Sequence, residues 1–203
     1  MAGIPLWHEW TRERYFDRMK FHSTIWVSLV LAASLWAGVE SKFQPGQLAP
    51  RFNLVRLDDP TKRFNLRDLA DSAKSAAQPG FGKTVILSFW STTCVNCKAE
   101  MPRLQKWLAG KAGIEWVPVL VENVEPELGL QWLKSARLTT PGVLDRYQAV
   151  GKSYGICQAQ VCTVPALVVV GPNQRIRMVK SGYKPTDSLE TELDRALAQV
   201  AIP

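Results

Sequence analysis

A near-continuous apolar run, Thr84-Val85-Ile86-Leu87-Ser88-Phe89-Trp90, ends just before the sequence Cys94-Val95-Asn96-Cys97. Apolar residues without alternation mark a central strand covered on both faces, which requires layers of helix on either side of a sheet. After the cysteines, residues 95–109 place Met101, Leu104, Trp107 and Leu108 on one helical face. Residues 116–121 read as another buried strand despite Pro118, and 127–136 as a second helix. A third helix is expected over 144–154 and a third apolar strand over 166–170. Pro172-Asn173 turns into a hairpin partner at 175–179, and a last helix spans 188–200 with Asp187 and Glu190 as its capping box. Earlier, 52–57 forms a strand ending at Asp58-Asp59-Pro60, and a short helix around 66–75 precedes a loose loop over 76–82. Right-handed crossovers between parallel strands then give an α/β chain with a mixed sheet and helices on both faces.

The segment ahead of this domain has a different character. Residues 21–39 contain no Asp, Glu, Lys or Arg over 19 positions, close to the ~20 residues of a helix that crosses a bilayer. Arg12, Arg14, Arg18 and Lys20 precede it, which points to a cytoplasmic N-terminus. Trp7, Trp10, Tyr15 and Phe16 suit the interface. Ala32-Ala33-Ser34 offers a small-x-small site for a cleaved signal, but the region before the apolar run is long for that reading. No cysteine directly follows the run, which excludes a lipoprotein. The expected organisation is a cytoplasmic segment 1–20, a transmembrane anchor 21–40, a Pro/Gly linker 41–50 and a globular domain 51–203. That domain would lie in the periplasm of a bacterium, held to its inner membrane.

The four cysteines form two close pairs, Cys94/Cys97 and Cys157/Cys162, as suits a compartment where disulfides persist. The only histidines, His8 and His22, precede residue 40, so the domain has no imidazole for catalysis or metal binding. A net charge of +7 is interspersed, without the basic run and interleaved aromatics of a nucleic-acid face.

Cys94 and Cys97 sit where a buried strand gives way to a helix. Free N–H groups and the partial positive charge of a first helical turn stabilise a thiolate at Cys94, the species that attacks a disulfide. Cys97, one turn later on the same face, can resolve the mixed disulfide. A structural disulfide and half of a zinc site are the alternatives. The strand–helix setting favours redox chemistry, with the disulfide itself in place of any cofactor.

The run Phe89-Trp90-Ser91-Thr92-Thr93-Cys94-Val95-Asn96-Cys97-Lys98-Ala99-Glu100-Met101-Pro102 resembles the signature of the TlpA-like and ResA-like membrane-anchored thioredoxins. That family includes reductases of cytochrome c maturation. The resemblance extends over most of 48–200, through Ala49-Pro50-Arg51-Phe52-Asn53-Leu54, the Tyr154-Gly155-Ile156 element and Thr163-Val164-Pro165-Ala166. It implies a thioredoxin fold, protein thiols and disulfides as substrates, and a membrane protein as electron donor or acceptor.

It further implies that Pro165 is cis and lies against the cysteines, with Val164 offering its backbone to substrate. From the residues alone, an ordinary strand-start proline is equally open. Glu100 matches a family glutamate that modulates the cysteines, although position alone allows a solvated helix residue. Pro102 would kink the helix. Four positions depart from the pattern: Thr93 replaces a tryptophan, Val95-Asn96 replaces a Pro-Pro-like dipeptide, and Ser88 stands where thioredoxin has a buried aspartate. Thr93 and the intervening dipeptide tune potential and partner choice.

Relatives reach the cis-proline loop in a few residues, whereas this chain inserts Cys157-Gln158-Ala159-Gln160-Val161-Cys162. A structural disulfide stiffening a small loop is the preferred reading, ahead of a second redox pair or a metal site shared by all four cysteines. Two other functions compete with a disulfide reductase. A copper-delivery module on this fold would add a histidine ligand, which the domain lacks. A peroxidase of the same superfamily would use a lone cysteine.

Overall fold

The computed structural model describes residues 43–67 and 82–198. In chain order the elements are β1 (Asn53–Arg56), β2 (Arg63–Asn65), β3 (Thr84–Trp90), α1 (Val95–Leu108), β4 (Ile114–Leu120), α2 (Pro126–Ser135) and β5 (Val143–Leu144). They continue as α3 (Ala149–Ser153), β6 (Cys157–Gln158), β7 (Val161–Cys162), β8 (Ala166–Val170), β9 (Ile176–Ser181) and α4 (Leu189–Ala198). The anchor expected at 21–40 and the cytoplasmic segment before it lie outside the described residues, as does the 66–75 helix beyond Arg67. Among the described residues no helix is long and apolar enough to cross a membrane.

The strands of the main sheet are ordered β2-β1-β5-β4-β3-β8-β9. β3 pairs in parallel with β4 and antiparallel with β8, so the sheet is mixed, with β3 near its middle. This is the mixed α/β sheet that the strand and helix order implies, and it agrees with the thioredoxin fold that the family resemblance implies. Every residue of β3 and β8 is buried, which explains why both strands are legible as apolar runs with their bounds intact.

Side chains alternate across the sheet and build two cores. Val85, Leu87 and Phe89 face one, together with Val119, Val168 and Tyr154. Ile86 and Trp90 face the other, with Leu120, Leu167, Met101, Leu104 and Cys97. Ser88 shares the second face and accepts a hydrogen bond from Trp116 Nε1 at 2.8 Å. That buried pair satisfies both polar groups, which would otherwise cost stability.

Residues 43–50, expected as linker, run alongside the start of β9. Ala49 N–H donates to the Gln174 carbonyl at 2.8 Å, and Gly46 N–H to that of Ile176 at 2.7 Å. The Tyr154 hydroxyl donates to the Pro50 carbonyl at 2.8 Å. The sequence pattern of this stretch is loop-like, yet its backbone groups are paired.

Two local expectations are corrected. Residues 144–154 are not one helix. Val143 and Leu144 form β5, paired with Val119 and Leu120 on one side and with β1 on the other. The helix starts only at Ala149, after Gln148 in a left-handed conformation (φ 58°). A gap in the sheet between β1 and β4 draws the apolar pair into a strand, overriding its helical spacing. The capping box at Asp187 and Glu190 is also absent, because both carboxylates are engaged elsewhere. Asp187 accepts from the Lys184 N–H at 3.0 Å, and Glu190 pairs with Arg103 on α1 at 2.6 Å.

Candidate active site

β3 delivers the chain to a short loop, Ser91–Thr93, and α1 begins at once. Cys94 is the N-cap of α1, with extended backbone, and its Sγ accepts the Cys97 N–H at 3.1 Å. The sulfur thus takes up one of the orphan donors of the first turn, where the helix dipole also favours negative charge. Cys94 and Cys97 are joined in a disulfide with their Cα atoms 5.3 Å apart. Cys97 has no exposed surface, whereas Cys94 is half-buried. Of the two sulfurs, Cys94 is the one an incoming group reaches.

The loop is fixed by a residue that the sequence reading passed over. The Glu122 carboxylate, just beyond β4, accepts the Thr92 N–H at 2.9 Å and the Thr92 hydroxyl at 2.8 Å. No local pattern signals a contact spanning 30 positions. Thr93 is exposed beside the cysteines, its hydroxyl 3.4 Å from that of Ser91. Val95, between the cysteines, is 79% exposed.

The Val164–Pro165 peptide is cis. Because Phe89 pairs with Ala166, the register places Pro165 at the same end of the sheet as Trp90 and the cysteine loop. Val164 packs partly against both cores, and the Pro165 carbonyl accepts the Gly182 N–H at 2.9 Å. Cys94, Cys97, Thr93, Val164 and Pro165 therefore gather at one end of the sheet.

Glu100 lies one turn beyond Cys97 on α1, with only 2% of its surface exposed. The solvated alternative is thereby corrected. Neither carboxylate oxygen has a hydrogen-bond partner, and the nearest cation is Arg103, 3.7 Å away. Burial pushes the carboxyl above its ordinary range, while the Arg103 charge acts in the opposite direction. Tyr183 is buried nearby, its hydroxyl also pushed up by burial and by the Glu100 charge.

A raised value means that the folded protein binds this proton more tightly than the unfolded chain does. The Glu100 contribution to stability is thus complete below the unfolded value and is lost as pH rises through the folded one. Glu100→Gln, neutral throughout, should gain on the parent as pH rises. Urea titrations at about pH 5 and about pH 8 read this difference. Equal stability differences at both pH values would show that the carboxyl is not desolvated.

Cys157 and Cys162 face each other across the β6–β7 hairpin and form a second disulfide, with Cα atoms 3.9 Å apart. Cys157 packs with Val121, Val150 and Tyr154 in the first core, whereas Cys97 belongs to the second. The two disulfides thus face opposite sides of the sheet, which corrects the idea of one metal site shared by four cysteines. Among the described residues no group of three or more His, Cys, Asp or Glu could hold a metal ion.

Residues 45–179 match the AhpC/TSA family. The thiol-disulfide oxidoreductase ResA of Oceanobacillus iheyensis is 29% identical over 186 residues, covering 88% of each chain. Among solved structures, the thioredoxin domain of a thiol-disulfide oxidoreductase from Bacteroides vulgatus superimposes with a TM-score of 0.58 at 21% identity, covering 76% of this chain and 98% of that one. Peroxidoxin BcpB from Mycobacterium tuberculosis gives 0.59 at 15% identity, covering 78% and 96%. At these identities the structural likenesses establish the fold.

Proposed function

Because the chain belongs to the AhpC/TSA family, we propose that it is a thiol-disulfide oxidoreductase that reduces protein disulfides through Cys94 and Cys97. The observation that carries this reading is a helix-capping sulfur, half-buried and bonded to a fully buried partner, beside a cis proline. The ResA relative is named a thiol-disulfide oxidoreductase.

In the reduced enzyme the Cys94 thiolate attacks one sulfur of a substrate disulfide. A bond forms between Cys94 and substrate, the substrate S–S bond breaks, and the leaving sulfur takes a proton. Cys97 then loses its proton and attacks the Cys94 sulfur, which releases the second substrate thiol and forms the Cys94–Cys97 bond. The buried Glu100 carboxylate, one turn away on the helix, serves as acceptor for the Cys97 proton. A membrane dithiol donor returns two electrons and regenerates both thiols. The backbone of Val164 aligns the substrate strand, and Thr93 flanks it.

Residues 21–40 anchor the domain to the bacterial inner membrane from the periplasmic side. The charge-free 19-residue stretch and the basic residues ahead of it support this placement. Release of the full chain from membranes by an alkaline wash would contradict the anchor. Labelling of Cys94 by an impermeant thiol reagent in intact spheroplasts tests its side of the membrane.

Equilibration of Cys94/Cys97 with glutathione tests the direction of electron flow. A potential of about −270 mV supports a reductase, and one of about −120 mV an oxidant. The Cys157–Cys162 disulfide is structural in this reading. Converting both to Ser should leave exchange rates with a model disulfide unchanged and lower stability by roughly 2 kcal/mol, the chain entropy of so short a loop. A large fall in exchange rate without loss of fold would instead assign it a relay role.

A further inference from the structure

Arg103 occupies an unusual position on α1. It lies one turn beyond Glu100 and reaches across to α4 and to the segment that leads into it. Its Nε and Nη2 donate to the Glu190 carboxylate, at 3.0 Å and 2.6 Å, and its Nη1 donates to the Pro185 carbonyl. With the fork held in this way, the guanidinium stands 3.7 Å from a Glu100 oxygen, too far for a hydrogen bond but close enough for its charge to act.

The other charges around Glu100 come from three further parts of the fold. Lys180 on β9 is paired with Glu192 at 2.6 Å. Asp187, ahead of α4, accepts from the Lys184 backbone, and Glu190 is taken up by Arg103 itself. Tyr183 is buried beside the carboxyl. Arg103 therefore supplies the closest positive charge to a carboxylate that has no hydrogen bonds of its own.

We propose that Arg103, fixed by Glu190 and the Pro185 carbonyl, is a positioning residue that sets the pH above which Glu100 accepts the Cys97 proton. The inference rests on the reading of Glu100 as that acceptor. The proton passes from the Cys97 thiol to the Glu100 carboxylate. The Cys97 thiolate then attacks Cys94, the Cys94–substrate bond breaks, and the leaving thiolate is protonated in turn. Arg103 touches none of the reacting atoms. It acts only by opposing the effect of burial on Glu100.

The full-length reduced protein is mixed with 5,5′-dithiobis(2-nitrobenzoate) in a stopped-flow instrument across a range of pH. The first thionitrobenzoate released reports attack by Cys94, and the second reports resolution by Cys97. In Arg103→Gln the inflection of the second phase should move to higher pH, with the first phase unaltered. Arg103→Met, which keeps the apolar stem, should give the same shift and serves if Arg103→Gln misfolds. Arg103→Lys, which retains the charge, should return the inflection towards the parent value. In a Glu100→Gln background, which lacks that inflection, adding Arg103→Gln should leave the pH profile of the second phase unchanged.

The outcomes separate the two readings. If Glu100→Gln removes the inflection while Arg103→Gln leaves it in place, Glu100 is the acceptor and the role of Arg103 is overturned. If Glu100→Gln leaves the second phase unchanged, the acceptor reading falls and this inference falls with it. A shift by Arg103→Gln that persists in the Glu100→Gln background would place its action elsewhere, again overturning the proposal.

Discussion

Cys94→Ser should reduce turnover of a disulfide-bonded peptide by on the order of a thousandfold or more, to the level of the uncatalysed exchange. A serine hydroxyl at the helix N-cap can still accept the Cys97 N–H, so the variant should fold with little change. What it lacks is a thiolate to attack sulfur. The remaining thiol, Cys97, has no exposed surface and cannot replace it. Cys97→Ser should behave differently: it attacks normally and then accumulates the mixed disulfide, because the resolving step is missing. Thiol release by a chromogenic assay, combined with mass spectrometry of the trapped adduct, distinguishes the two. Retention of a tenth or more of the turnover in Cys94→Ser would remove Cys94 from the attacking role.

Trp90→Ala should cost about 3–5 kcal/mol, the range for loss of a large buried aromatic side chain. Trp90 is completely enclosed, the last residue of β3, and its ring stacks on Trp132 with centroids 4.3 Å apart. Ile86, Met101 and Leu120 belong to the same core, so truncation leaves a cavity that α1, α2 and the sheet cannot all close. Trp107→Ala provides the contrast, since Trp107 is only half-buried and packs on the edge of that core. Urea unfolding of both variants reads the difference. A loss below about 1 kcal/mol in Trp90→Ala would show that this packing is not what holds α1 to the sheet.

What the sequence reveals and what it hides divides along physical lines. β3 and β8 are legible because burial on both faces leaves no room for polar residues. Helix α1 is legible because its apolar spacing meets a single core. β5 is not, because two apolar residues carry no period, and only the gap between β1 and β4 makes Val143 and Leu144 a strand. At the site, the cysteine pair is evident from its place after β3. The burial of Glu100 is not, since a glutamate on a helix carries no local mark of what will fold over it. Glu122 is hidden for a similar reason, as its contact with Thr92 joins positions far apart in sequence. Asp145, buried with its carboxylate on the Gly151 N–H at 2.8 Å, is hidden too.

The full enclosure of Cys97 also governs traffic at the site. In the proposed cycle, substrate and electron donor each form their covalent intermediate at Cys94, so a single sulfur is the doorway for both halves. The two visitors exclude one another, and the enzyme alternates between them in single file. It cannot hold both in a ternary complex. The expected kinetics for that cycle are ping-pong, with parallel double-reciprocal lines when substrate and donor are varied.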